Sequence, residues 1–130
     1  MVRYSLEQLE KDYWKEPKEF PTSVVRKSYE LRKKPLRDLT IEEIRHLISQ
    51  SIGLEYLVPL ALDKLDGDIL AEGDFYPGDL LMALSNIQHA FWEINPALRL
   101  KLKEKVEQNR DFILSDMGEK EWGRIEERLQ

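Results

Sequence analysis

The 130-residue sequence contains no cysteine. That removes disulfides, thiolate metal sites and cysteine nucleophiles together, and it fits a reducing cytoplasm. Only two histidines are present, His46 and His89, so a zinc centre would need carboxylate ligands that nothing in the spacing supplies. The longest uninterrupted apolar run, Leu57 to Leu62, is far short of a membrane span, and the N-terminus MVRYSLEQLEKDYW has no apolar core for a secretory signal. Glycine-rich phosphate loops are missing, and no serine sits in a nucleophile elbow. Alternation of period two between hairpin turns is also missing, which leaves no strand to name. No repeat, low-complexity tract or linker divides the chain. These absences lead to an expectation: a non-enzymatic, cytoplasmic, single helical domain over residues 1–130, monomeric when free, with no cofactor, no metal and no membrane partner.

What is present is charge, leucine and three tryptophans. There are 25 Asp and Glu against 20 Lys and Arg, for a net charge of −5, and 42% of the residues are hydrophobic. That apolar fraction is too high for a disordered chain. The negative balance argues against general nucleic-acid binding and for a basic protein partner. Positive charge gathers at 26–37, where Arg26, Lys27, Arg32, Lys33, Lys34 and Arg37 meet only Glu30. This cluster reads as the solvated side and end of a helix. Trp14, Trp92 and Trp122 read as core or rim packing and not as a stacking platform.

Taken in order, the start and stop signals predict a bundle of six or seven helices. Ser5 with Gln8 forms a capping box, and Leu6, Leu9 and Tyr13 recur until Pro17 closes the segment. Thr22 or Ser23 caps a second helix that Pro35 stops. The third has the clearest start, with Thr40 and Glu43 as a capping box and Leu39 with Ile44 as a staple; Ile41, Ile44, Leu47 and Ile48 make its buried face, and Gly53 ends it. Residues 54–65 place Leu54, Leu57, Val58, Ala61, Leu62 and Leu65 on one wide apolar face, with Pro59 predicting a kink or a later start. A fifth helix begins near Pro77 and runs through Leu84 and Ile87 to Phe91. Asn95 before Pro96 opens a sixth that reaches Phe112 and Ile113. Asp116 with Glu119 starts the last one, with Trp122, Ile125 and Leu129 on one side.

The stretch 53–81, GLEYLVPLALDKLDGDILAEGDFYPGDLL, organises the rest, because the strongest apolar face passes there straight into the most acidic loop. From 63 to 79 the carboxylates of Asp63, Asp66, Asp68, Glu72, Asp74 and Asp79 meet one base, Lys64. Clustered acids with loop glycines suit calcium or magnesium, but these do not fall in the alternate register of an EF-hand loop. Paired carboxylates run acid–base chemistry only where burial or a like charge raises one pKa. A charge run by itself is most simply a solvated loop. Phe75 and Tyr76 lodged among the acids favour binding, since aromatics beside charge anchor interfaces. The candidate contact residues are therefore Asp66, Asp68, Glu72, Asp74 and Asp79, with Tyr76 as the central anchor. His46 and His89, each one turn from a glutamate and off the apolar faces, read as surface histidines.

RKKPLRDLTIEEIRHLISQSIGLEYLVPLAL, then LAEGDFYPGDLL and FWEINP, resembles the helical immunity proteins of bacterial contact-dependent growth inhibition (CDI) systems over roughly residues 30–96. The resemblance implies a cytoplasmic protein that binds the toxic C-terminal domain of a neighbouring secreted effector, often a nuclease, blocks it, and performs no catalysis. The matching residues, such as Gly53, Tyr56, Pro59, Gly73, Pro77 and Gly78, are mostly structural in kind, so no interface transfers with them. The residues alone also fit a second class, a helical adaptor or regulatory subunit for an endogenous basic protein.

Overall fold

The computed structural model describes residues 1–130 and contains nine α-helices and no named strand. In chain order they are α1 (Leu6–Glu10), α2 (Ser23–Leu31), α3 (Ile41–Ser49), α4 (Leu54–Gly67), α5 (Asp79–Ser85), α6 (His89–Ile94), α7 (Pro96–Gln108), α8 (Arg110–Met117) and α9 (Glu119–Leu129), with a single 3-10 turn at Leu36–Asp38 between α2 and α3. The all-helical architecture is the one the sequence predicts, and the extra helices come from breaks inside longer periodic segments.

Helix starts follow the side-chain chemistry. Ser5 and Gln8 close a capping box at α1, Thr22 accepts from the Val25 N–H at α2, and Thr40 with Glu43 closes a second box at α3. Each of these satisfies backbone donors that a helix end leaves without partners. α1 is shorter than the periodicity predicts: Lys11 turns left-handed and ends it, and Tyr13 lies outside any helix. Pro59 neither delays nor breaks α4, which runs from Leu54 to Gly67. Gly53 belongs to the start of α4 rather than the end of α3, at φ +63°, and a Cβ there would lie 2.6 Å from the Leu6 side chain. Its conformation and its close approach to α1 both call for glycine.

The core is one continuous cluster of 28 buried apolar residues, centred on Leu57, Val58 and Ala61 of α4, Ile44, Leu47 and Ile48 of α3, and Leu80, Leu81 and Leu84 of α5. α3 packs against α2, α4 and α5, while α9 packs against α5 and α8. With neighbours on several sides, α3 buries more than its apolar stripe. His46 is inside, its Nε2 3.0 Å from Ser28 Oγ, and that hydroxyl also donates to the Val24 carbonyl. This corrects the surface reading of His46. Burial, with Lys27 and Arg45 nearby, pushes its pKa below the ordinary 6.5, so the ring is neutral at pH 7. His89 is exposed, in line with its reading.

One member of the basic cluster is also internal. Arg32 is 1% exposed, pairs with Glu10 at 2.7 Å, donates to the Asp12 carbonyl and lies 4.0 Å from the centroid of Trp14. Trp14 and Phe20 both meet Tyr29 edge to face. Arg32 and Tyr29 thus hold the irregular segment 11–22 against α2. No helix is long and apolar enough to cross a membrane.

Candidate functional site

The acidic stretch leaves the C-terminus of α4, crosses the surface and enters α5. Asp68 ends α4, and its Oδ1 accepts from the Leu70 N–H at 3.0 Å, a local turn that reverses the chain. Ile69, Leu70 and Ala71 then dip into the core, which fixes the loop's base. The Leu70 carbonyl accepts from the Gly78 N–H at 3.0 Å and closes residues 71–77 into a compact excursion.

Two carboxylates organise that excursion from inside. Asp79, only 4% exposed, accepts from the Gly73 N–H at 2.7 Å and the Phe75 N–H at 3.1 Å. Glu42, on α3, accepts from the Asp74 N–H at 2.9 Å and grips Arg45 with both oxygens, at 2.7 and 2.6 Å. Three successive amides, at 73, 74 and 75, are therefore each held by a carboxylate oxygen. Ionised acceptors make such bonds short and strong. Gly73 fits because a Cβ there would lie 2.5 Å from Glu42 Oε1 and 3.1 Å from the Glu42 Cα. Gly78, at φ +91°, precedes α5 and lies directly against Met117 of α8.

The result is an aromatic pair presented to solvent by a fixed backbone. Phe75 is 67% exposed and Tyr76 43%. The Arg45 guanidinium lies 4.5 Å from the Phe75 ring centroid, so the cation braced by Glu42 in turn supports the ring. Phe75 and Tyr76 form one wall of a depression of about 400 Å³ between α3 and α5, floored by Ile48, Met82 and Ile87. Tyr76 also borders a second depression, of about 450 Å³, toward α9. The Tyr76 hydroxyl has its pKa raised by burial and by the negative charges of Glu121 and Asp79.

The predicted contact residues divide into two groups. Asp74, Tyr76 and Asp79 gather around Glu42 and Arg45. Asp66 and Asp68 instead border a separate hollow beside α7, where Asp66 pairs with Lys105, so that part of its charge is already matched. Glu72 is exposed between the two groups. Asp79 faces inward and builds the loop, while Asp66, Asp68, Glu72 and Asp74 are exposed. No three His, Asp or Glu side chains converge as a metal ligand set. Glu42 and Arg45 are missing from the sequence reading, because an i,i+3 ion pair is common on helix surfaces and their loop partner lies 32 residues away.

The hydrogen bond from Arg45 holds the Glu42 carboxyl below its ordinary value of 4.5, helped by the Asp74 N–H and opposed by desolvation. A carboxylate whose folded pKa is depressed contributes stability above its unfolded value, and that stability is lost as pH falls through the folded value. The Asp74 amide resonance is therefore expected to stay fixed from pH 7 to about 5 and to move only below about 4.5 as its acceptor protonates. Glu42→Gln should reduce that movement in an NMR pH series.

A family model of CDI immunity proteins matches residues 8–102, about three quarters of the chain. The match takes in α2 to α6, the acidic loop and both carboxylates that hold it, and stops within α7. No curated protein and no solved structure gives a significant match. With a family match of that extent over an all-helical fold, the chain belongs to the CDI immunity proteins, whose role is protection against a CDI toxin.

Proposed function

We propose that this protein, acting as one cytoplasmic domain and as a monomer when free, neutralises its cognate toxin by binding the toxic C-terminal domain of the effector and covering its active site. In this reading the toxin is a nuclease. A nuclease groove is basic because it must hold phosphate, and a net charge of −5 with acids concentrated at 63–79 complements it. Asp66, Asp68, Glu72 and Asp74 steer and face the groove, Tyr76 anchors the centre beside Phe75, and Asp79 with Glu42 keeps the loop in its binding shape.

The observation that carries the proposal is the pairing of two exposed aromatic rings with a backbone pinned at three consecutive amides. Large side chains held out in water on a rigid support bind with little ordering cost, which is how interface anchors gain affinity. The protein needs no catalysis of its own, since occupying the groove is sufficient.

Titration against the cognate toxin domain tests this reading. Nuclease activity should fall in proportion to added protein and vanish at one equivalent. Activity that persists at several equivalents would remove the proposal.

A further inference from the structure

The second depression beside Tyr76 is built by two parts of the chain. Tyr76 and Pro77 come from the loop, and Asp116, Met117, Glu121 and Arg124 come from the end of α8 and from α9. The family match ends at residue 102, before any of the latter four. The two parts touch directly: a Cβ on Gly78 would lie 2.9 Å from Met117 Sδ and Cε, so the loop rests on α8 without a gap.

The chemistry of the walls selects one kind of guest. Tyr76 offers an aromatic face, Pro77 and Met117 offer apolar surface, and Asp116 and Glu121 offer two carboxylates. The one cation present, Arg124, reaches Glu121 only at 3.7 Å, with more than half of its side chain exposed. An exposed pair at that separation contributes little and yields readily to a better-placed cation. A lysine or arginine side chain lays its aliphatic stem on apolar surface, takes cation–π attraction from a tyrosine and ends on carboxylates. Tyr76 and Glu121 both line the depression, so the carboxylate and the ring serve the same space.

We infer that this depression seats a basic side chain of the toxin, and that α8 and α9, outside the span of the family match, thereby help to set which toxin the protein recognises. The inference rests on the toxin-binding reading above and locates a specific contact within it. Asp116 is exposed and Glu121 partly so, so neither is needed for the core.

The test uses the full chain and its cognate toxin domain, with dissociation followed by surface plasmon resonance. Asp116→Asn/Glu121→Gln keeps the shape of the pocket and removes its charge; it should dissociate about tenfold faster, or more. Arg124→Ala removes the competing cation and should dissociate no faster than the parent. One toxin lysine or arginine should lose affinity on change to alanine in the parent background and lose almost none in the double variant. Dissociation of the double variant within twofold of the parent, or an equal loss in Arg124→Ala, overturns the inference while leaving toxin binding intact. Failure of the unaltered protein to bind the toxin domain overturns both.

Discussion

Asp79→Ala should be the most damaging single change in the loop: a loss of about 2–4 kcal/mol in stability together with loss of toxin protection. The carboxylate is buried and accepts from two backbone amides, at Gly73 and Phe75. Its removal leaves two donors without partners beneath the loop and takes a negative charge away from Arg45. In a chain of 130 residues such a loss lowers Tm by roughly 8–15 °C. Asp79→Asn keeps one acceptor but sets an amide N–H against a backbone donor, so it should fall between the parent and the alanine variant. Thermal melts give the stability order, and amide exchange at 73 and 75 reports the loosened loop. A melt within 2 °C of the parent would show that these bonds do not hold the excursion.

Charge reversal at three exposed acids should have the largest effect on association. Changing Asp68, Glu72 and Asp74 together to lysine moves the loop by six units of charge and sets like charge against the basic groove proposed for the toxin. Electrostatic steering accounts for up to about a hundredfold or more in association rate at low salt, so the triple variant should associate about 100-fold more slowly. The effect should shrink at high ionic strength, because the Debye length falls to about 3 Å at 1 M salt. Asp66 is left out because Lys105 already pairs with it. All three residues lie at the surface, and the side chains of Glu72 and Asp74 hold no part of the loop. Asp68 accepts from the Leu70 N–H, so a second variant with Asp68→Asn in place of Asp68→Lys keeps that turn and separates charge from loop shape. An association rate unchanged at low salt would take the acidic loop out of the account. The Tyr76 contact could still stand, because its contribution is expected in dissociation.

These outcomes depend on features that were unequally visible in the sequence. Caps are local chemistry, so Ser5, Thr22, Thr40 and the proline at the start of α7 are legible from a few adjacent residues. The wide apolar face of α4 is equally plain, as a buried helix must repeat leucines at three and four. The breaks at Asn86–Gln88 and at Asn109 are not legible. The stripe Leu84, Ile87, Phe91 keeps helical spacing straight through the first, and Leu102, Val106 and Ile113 run past the second. Neither α6 nor α8 carries a side-chain cap to announce it. The position of His46 is not legible either, because its burial depends on α2 lying over α3, a contact across 18 residues. In the sequence Asp79 is one more loop acid. Its inward position follows from chain reversal at Asp68 and from the bond between Gly78 and Leu70, neither of which periodicity can register. The division of the acids into two groups has the same origin, since adjacency in sequence says nothing about which helix each carboxylate meets.

The most direct measurement is hydrogen–deuterium exchange on the protein with and without its cognate toxin domain. Strong protection is expected across residues 72–78, extending to the end of α8 and the start of α9, with little change on the Trp14 and Tyr29 side. Protection confined to some other face, with the amides of Asp74, Phe75 and Tyr76 exchanging as fast in the complex as in the free protein, would contradict the account.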